Sequence, residues 1–388
     1  MDLSLERPSQ SAPMVRSASV PCDQPGALAA LAHEIDRGDL DLVVLMVSSQ
    51  ADAAGIAAQA QEIFPETRVV GCTTAGEISA SGYTEGEIVA LGFPASHFCT
   101  RPMLIPDLQS YDPQRVIDAL IQTRSELADA QPDWLHEFNF LLIDGLSTLE
   151  DKLVSDLGMG LGPVPLFGGS AGDGEDFEGT HVLHEGRALD NAAVLIQVRT
   201  RCPVKVFKTD HLTPTDQRMV VTGANPARRT VHEINAEPAA REYARILGKD
   251  PEQLTTFIFA AHPVVVRIGG QHHVRSILRV AENGDLVFFS AIDEGLVLTL
   301  AEPRDMVEHL RTELAGLSDT QAPSVILGCD CLLRRLEARE NQVIGALSDI
   351  LRENRVVGFS TYGEQFNSIH VNQTLTGVAI YPPPTDEG

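Results

Sequence analysis

Residues 69–79 have the sequence VVGCTTAGEIS, in which two valines run directly into a glycine, small hydroxyl residues, a second glycine and a carboxylate. The valines favour a buried strand, and the glycines suit a sharp turn or a close approach of the chain. Thr74 and Glu77 then place a hydroxyl and a carboxylate beyond the strand. Such a stretch is compatible with a phosphate-binding loop, a catalytic elbow or a structural turn at the end of a sheet.

The flanks of this stretch predict a strand–helix–strand unit. Residues 42–47 form a continuous aliphatic run, which is typical of a strand buried on both faces. Residues 51–64 have helical spacing, and residues 68–70 return as a strand. The two strands should be parallel and joined by a right-handed crossover.

The same order of elements occurs twice more, and a hairpin-like segment follows each copy. Three copies with matching flanks indicate an internal duplication. The later copies have strands at 139–143 and 324–327, helices at 149–157 and 332–351, and second strands that enter GGSAGDG (168–174) and GFSTYGEQ (358–365).

The remaining patterns define the predicted domains. Residues 230–247 are predicted to form an amphipathic connector helix and residues 255–300 an antiparallel meander with glycine turns. The predicted fold class is α/β, with repeated βαβ units in mixed sheets and the meander in a second domain. The predicted divisions are a mobile leader (1–24), an N-terminal domain (25–235), a C-terminal domain (236–382) and a tail (383–388).

The charge and the cysteine pattern narrow the class of protein. There are 54 acidic and 29 basic residues, which give a formal net charge of -25. This charge repels nucleic acid and anionic membranes, and the six cysteines contain no CxxC pair. We therefore expect a cytoplasmic protein with reduced thiols, no nucleic acid partner and no membrane insertion. The sequence leaves open whether the protein forms a homo-oligomer.

Two kinds of catalytic loop are disfavoured. A phosphate-binding loop requires lysine and a hydroxyl residue after the second glycine, but Glu77, Asp173 and Glu364 occupy that place. Residues 168–172 match the GxSxG pattern of a hydrolase around Ser170, but a hairpin rather than a helix is predicted to follow. A serine hydrolase, with Asp144 and His181 or His184 as partners of the serine, is the less favoured alternative.

Three residues are candidates for holding a cofactor or ligand. His262 is flanked by apolar residues in FIFAAHPVVV, so its imidazole is either a heme ligand or a hydrogen-bonded core residue. Cys202, which precedes a proline, is a weaker candidate for heme iron. Arg275 lies in the predicted meander, where it requires an anionic ligand or a carboxylate partner such as Asp293 or Glu294.

Four motifs in order resemble the FIST sensory module, a pair of N- and C-terminal domains found in intracellular signal transduction. They are VVGCTTAGEI, LFGGSAGDG, AAHPVVVRIGGQHHVRSI and VVGFSTYGE, and the resemblance covers residues 25–380. The chain is also similar to the stand-alone NosP branch of that family. Members of this branch bind heme, detect nitric oxide and regulate a histidine kinase linked to cyclic-di-GMP and biofilm control.

The resemblance implies a cytosolic sensor rather than an enzyme, with heme as cofactor, nitric oxide as signal and a histidine kinase as partner. His262 occupies the start of the family's His-Pro strand, and Arg275 matches its strand arginine. The alternative is a sensor of another small ligand, such as an amino acid. Its carboxylate and amine would contact Arg275 and residues of the three loops, namely Thr74, Glu77, Ser170, Asp173, Ser360 and Glu364.

Overall fold

Three copies of one strand–helix unit make up most of the chain in a computed structural model, which describes residues 14–268 and 270–383. The first unit contains β1 (Arg16–Pro21), α1 (Ala27–Ile35), β2 (Leu40–Ser48), α2 (Ala53–Ile63), β3 (Arg68–Thr74), β4 (Glu77–Ser79), β5 (Gly82–Thr84) and β6 (Glu87–Pro94). The second contains β7 (Phe98–Ile105), α3 (Pro113–Ala130), β8 (His136–Ile143), α4 (Glu150–Leu161), β9 (Leu166–Ser170), β10 (Val182–His184), β11 (Arg187–Leu189) and β12 (Ala193–Thr200).

The third unit begins with β13 (Val204–Thr209) and is then interrupted by a segment of residues 212–303, which we call the insert. The insert contains β14 (Leu212–Asn225), β15 (Thr230–Ile234), β16 (Glu237–Pro238), α5 (Ala239–Leu247), α6 (Thr256–Ala261), β17 (Val264–Ile268), β18 (Gln271–Arg275), β19 (Ile277–Val280), β20 (Leu286–Phe288) and β21 (Val297–Pro303). The unit resumes with α7 (Met306–Gly316), β22 (Val325–Cys331), α8 (Leu332–Glu340), α9 (Ile344–Glu353), β23 (Val356–Thr361), β24 (Glu364–Phe366), β25 (Ile369–Val371) and β26 (Leu375–Ile380).

Each unit builds a mixed sheet around one parallel strand pair. The parallel pairs are β2–β3, β8–β9 and β22–β23. The last strand of each unit, β6, β12 or β26, pairs antiparallel with the first parallel strand and with the strand that opens the unit. The insert forms a separate antiparallel sheet with its own hydrophobic core. The predicted α/β class, with mixed sheets from βαβ units and an antiparallel meander, is confirmed.

The short hairpins are exchanged between units in a cycle. Hairpin β4–β5 of the first unit pairs with β23 of the third, and β24–β25 of the third pairs with β9 of the second. Hairpin β10–β11 of the second unit closes the cycle by pairing with β3 of the first. Every six-stranded sheet therefore ends on a hairpin from another unit, and one hydrophobic core is shared by all three units.

The first glycine of each repeated loop is explained by the distance between parallel strands. A Cβ at Gly71, Gly168 or Gly358 would lie 2.1, 2.4 or 1.8 Å from a carbonyl oxygen of the neighbouring strand. These contacts are with backbone atoms, which a side-chain rotation cannot relieve. The opening glycine is thus a packing requirement of the strand pair and needs no ligand to explain it.

Several predicted elements require correction. Arg16–Pro21 of the predicted leader form β1, which pairs with β6, whereas residues 1–13 lie outside the described residues. The predicted helix 332–351 is two helices, because Gln342 adopts a left-handed φ of 58° between them. Within the predicted connector, residues 230–238 form strands β15 and β16 around a turn at Asn235 and Ala236, and only α5 is helical.

The predicted domain boundary near residue 235 falls at the turn between β15 and β16, inside the insert. The division into two domains stays a prediction. Of the predicted tail, residues 384–388 lie outside the described residues. In the described ranges, no helix combines the length and the apolar character needed to cross a membrane.

Candidate functional site

Each unit has a candidate ligand position near the carboxyl ends of parallel strands, which is the usual ligand position in α/β sheets. Each position lies between a helix of its own unit and the hairpin received from another unit. The open cleft, of about 390 Å³, lies between α2 and hairpin β10–β11. The arginine cleft, of about 160 Å³, lies beside α8 and contains Arg335 and Arg339. The third position, which we call the covered cleft, is a region of buried polar contacts between α4 and hairpin β24–β25, beneath the insert.

The insert closes the covered cleft with two buried arginines. Arg229 donates to Glu150 Oε2 at 2.7 Å, to Asp151 Oδ2 at 3.2 Å and to the carbonyl of Phe289. The first two contacts join the insert to the first turn of α4, because Glu150 and Asp151 are the opening residues of that helix. The insert is therefore attached to the second unit by a buried ion pair with Glu150 and a partly buried one with Asp151.

Arg275 is the less completely paired of the two arginines. It is 6% exposed, and its Nη1 donates to the carbonyl of His370 on β25 at 3.3 Å. Its Nη2 lies 3.9 Å from Asp151 Oδ1, so the predicted partners Asp293 and Glu294 give way to a carboxylate of the second unit. Arg275 thus has capacity for a further anionic group.

The charges in the covered cleft balance. Burial lowers the pKa of Arg275 and of His370, so His370 is neutral at neutral pH. Burial alone would raise the pKa of Asp151, but His370 in its protonated form, Arg275 and Arg229 outweigh it and leave that pKa below its ordinary value. Two guanidinium groups therefore face the two carboxylates of α4.

Many buried polar atoms around the covered cleft have no hydrogen-bond partner among the described residues. Buried polar groups are paired in the great majority of cases, so a concentration of unpaired atoms indicates bound solvent or a polar ligand. They are Arg275 Nε, Ser276 Oγ, Ser290 Oγ, Gln365 Oε1, His370 Nε2, Asn372 Oδ1 and Gln373 Oε1.

Ser170 contacts this cleft through an amide side chain. Gln365 Nε2 donates to Ser170 Oγ at 2.9 Å and lies 3.4 Å from His370 Nδ1. Asp144, the residue expected to assist Ser170 in a hydrolase, instead accepts from Thr180 and from the N–H of Asn191. His184 lies beside Glu185, and His181 lines the open cleft. The predicted hydrolase partners are thus engaged elsewhere.

Two loop carboxylates hold the hairpins in place. Glu77 accepts from the hydroxyl of Thr74 and from the N–H ten residues later, that of Glu87. Glu364 accepts from the hydroxyl of Thr361 and from the N–H and hydroxyl of Thr374, at the same spacings. These bonds connect each loop to the far end of its own hairpin. Both glutamates are fully buried.

The other two loop residues have different partners. Asp173 accepts from the phenol of Tyr362 and from the N–H groups of residues 177, 178 and 179, so it shapes the second loop. Ser360 Oγ accepts from Arg335 Nη1 at 3.3 Å, beside the arginine cleft. The predicted set of ligand-binding residues is therefore distributed over more than one cleft rather than gathered in a single site.

Glu364→Gln is expected to reduce the pH dependence of stability. Burial raises the pKa of Glu364 to about 8, so between its ordinary pKa and pH 8 the folded chain holds a proton that the unfolded chain has released. The free energy of unfolding then falls as pH rises through this window, by up to about 1.4 kcal/mol per pH unit. The uncharged amide removes this contribution.

Urea denaturation at pH 5, 6.5 and 8 measures the effect of this substitution. The wild-type curve should fall more steeply with pH than that of the variant. Glu353→Gln is the control because Glu353 is exposed, and it should follow the wild type. Parallel curves for wild type and Glu364→Gln would show that Glu364 is ionised in the folded state.

The surroundings of the two predicted heme ligands do not identify either of them as an axial ligand of iron. His262 ends α6, is half-buried, and its carbonyl accepts from Tyr243. Cys202 is buried, and burial raises its pKa, which disfavours the thiolate needed for iron. Neither residue lines any of the five clefts and grooves whose volumes are known. Within the described residues, no group of three His, Cys, Asp or Glu side chains is placed to hold a metal.

The sequence indicated Arg275 as a candidate binding residue, but it did not indicate the other side chains of the covered cleft. Glu150 and Asp151 could have been noticed, since they open the helix after a buried strand and so lie at its carboxyl end. The other missed residues, Arg229, Gln365 and His370, come from distant segments. Only the hairpin exchange and the insert bring them to α4.

Comparison with known proteins identifies the family of this chain. Residues 41–237 match the FIST N domain and residues 239–367 match the FIST C domain. A search of curated protein sequences found no match. A solved chain described as "Cyanuric acid hydrolase: evolutionary innovation by structural concatenation" is similar at a TM-score of 0.36 and 9% identity, over 94% of this chain and 99% of that one. That similarity is too weak to carry an argument. The two domain matches show that the chain belongs to the FIST family, whose domains are sensory modules of signal transduction that bind small ligands.

Proposed function

We propose that this protein senses a small ligand with both a carboxylate and an amine, such as an amino acid, in the covered cleft. The observation that carries the proposal is a charge-balanced group of two buried arginines, the buried carboxylate of Glu150 and the partly buried carboxylate of Asp151, with unpaired polar atoms around it. A zwitterion adds no net charge to such a site, so it avoids the cost of burying an uncompensated ion.

Each end of the ligand has a matching group. The carboxylate binds Arg275, whose Nε is unpaired and whose contact with Asp151 is long at 3.9 Å. The amine binds Asp151 Oδ1, which has only the long contact with Arg275, whereas Asp151 Oδ2 keeps its bond from Arg229. Gln365 and His370 supply unpaired polar atoms for the rest of the ligand. This assignment replaces the loop residues as ligand contacts, because Glu77 and Glu364 already accept hydrogen bonds from threonine hydroxyls.

A ligand in this position joins the insert to the second unit. The insert leaves and re-enters the third unit at one place, where the N–H of Arg304 donates to the carbonyl of His211 at 2.7 Å. A bound ligand that contacts both Arg275 and α4 favours the closed arrangement of the insert. Binding would then shift a two-state equilibrium that a signalling partner detects.

Arg275→Ala is expected to abolish stabilisation by the ligand, because it removes the group that binds the carboxylate. Thermal unfolding of the full chain is measured with each of the common amino acids. A ligand at a hundred times its Kd should stabilise the wild type by about 2.7 kcal/mol. Arg267→Ala is the control, because Arg267 is exposed on the adjacent strand β17. An undiminished thermal shift in Arg275→Ala would refute this site.

Heme-based sensing of nitric oxide, with a histidine kinase as partner and a cytoplasmic location, is the second candidate function. The resemblance to the NosP branch supports it, and neither His262 nor Cys202 does. An absorption spectrum of the purified protein, with heme added and with nitric oxide, separates the two candidates. A Soret band that shifts with nitric oxide would favour heme, and a colourless protein stabilised by an amino acid would favour the covered cleft.

A further inference from the structure

The arginine cleft is formed by all three units, although it is separate from the covered cleft. The first unit contributes Ser48 and Gly76, the second contributes Glu175, and the third contributes Arg335 and Arg339. With a volume of about 160 Å³, it has room for a small group rather than a nucleotide. The carboxyl end of β2 forms one wall, which is a favoured position for ligands in α/β sheets.

Arg335 is a buried cation with an unused donor. It is 4% exposed, its Nη2 donates to the carbonyl of Thr84 at 2.8 Å, and its Nε has no partner among the described residues. The backbone makes room for it, since a Cβ at Gly76 would lie 1.9 Å from Arg335 Nη1. Gly76 also has a φ of 121°, which other residues rarely adopt. The second glycine of the opening motif therefore accommodates Arg335.

The carboxylates that balance the two arginines are only loosely held. Glu85 lies 3.1 Å from Arg335 and also contacts Arg339, and Glu175 lies 3.1 Å from Arg339. The side chains of Glu85 and Glu175 are 50% and 52% exposed. Solvent-exposed ion pairs contribute about 0 to 1 kcal/mol, so a competing anion can displace these glutamates at low cost.

We propose that the arginine cleft is a second ligand site, which binds a small oxyanion, either a carboxylate or a phosphate group. The anion lies between Arg335 and Arg339 and takes the place of Glu85 and Glu175, which turn toward solvent. Arg335 supplies the Nη2–H that Glu85 releases, and the hydroxyls of Ser48 and Ser49 line the same cleft. Charge-assisted hydrogen bonds of this kind are stronger than neutral ones.

Isothermal titration of the full chain with inorganic phosphate and with acetate, at constant ionic strength, tests the site. Arg339→Ala is expected to weaken binding about tenfold, because one charge-assisted contact is lost. Glu175→Gln is expected to tighten binding about threefold, because it removes a competing anion. Arg352→Ala is the control, since its exposed pair with Asp349 lies on α9. The anion that binds identifies the preferred oxyanion class.

The two substitutions are expected to change the affinity for the anion in opposite directions. The test therefore needs no substitution of the buried Arg335. The proposal is overturned if neither anion binds the wild type and Glu175→Gln, or if Arg339→Ala binds as tightly as the wild type. It is independent of the covered cleft, which is proposed to bind a carboxylate, so Arg275→Ala should leave phosphate binding unchanged. Loss of anion binding in Arg275→Ala would assign the anion to the covered cleft instead.

Discussion

Gly358→Ala is expected to lower the free energy of unfolding by at least about 3 kcal/mol, or to prevent folding altogether. The new Cβ would lie 1.8 Å from the carbonyl oxygen of Gly328 on the adjacent parallel strand. Both atoms are fixed to backbones in the centre of one sheet, where β23 pairs on its other side with the hairpin from the first unit. Relief requires the strands to separate, which disrupts both pairings.

Gly345→Ala is the matched control for this substitution. Gly345 lies in α9 of the same unit, and a Cβ there meets no atom within 4 Å. Alanine favours helix over glycine by up to about 1 kcal/mol, so this variant should be slightly more stable than the wild type. Urea denaturation of both variants gives the comparison. Equal stabilities for the two would contradict the close strand approach.

Arg334→Met is expected to cost about 3 to 5 kcal/mol, because it leaves a buried carboxylate without its cation. Arg334 and Asp330 are each 1% exposed, and Arg334 Nε lies 2.7 Å from Asp330 Oδ1. Arg334 also donates to His211 Nδ1 at 2.9 Å, and His211 Nε2 contacts Glu337 at 2.9 Å. Methionine keeps much of the volume, so the loss measures charge rather than packing.

A double-mutant cycle separates the ion pair from a general loss of packing. Asp330→Asn in the Arg334→Met background removes the uncompensated charge and should recover at least about 1 kcal/mol. Arg352→Ala removes an exposed arginine from a pair at 2.9 Å and should change stability by less than about 1 kcal/mol. A similar cost for Arg334→Met and Arg352→Ala would mean that the buried pair contributes little.

The sequence predicts what depends on local patterns, and it does so well for the repeated units. Strands such as β2 and β8 contain continuous apolar runs, and the repeated glycine loops mark where their partner strands end. β1 was not predicted because RSASVP is short and half polar, and its pairing with β6 is what makes it a strand. The break between α8 and α9 depends on one left-handed residue, Gln342. This residue is not a glycine, so the sequence gives no signal for the break.

The candidate site was less accessible to prediction, because its residues meet only in the fold. Arg275 was noticeable as a charge within a predicted strand of the meander, and that signal is local. Its partner Asp151 lies in a different unit, and His370 reaches the cleft on a hairpin that pairs with the second unit's sheet. Which hairpin pairs with which sheet is a non-local choice that hydrophobic patterning does not encode.

The cyclic exchange of hairpins has a consequence for synthesis on the ribosome. Hairpin β4–β5 begins at Glu77, but its partner strand β23 begins at Val356, about 280 residues later. At about 5 to 20 residues per second, the hairpin waits roughly a quarter of a minute to a minute for that strand. During this time the edge of the first hairpin is available to other chains, so a holding chaperone should matter more for this protein than for one whose sheets close in sequence order.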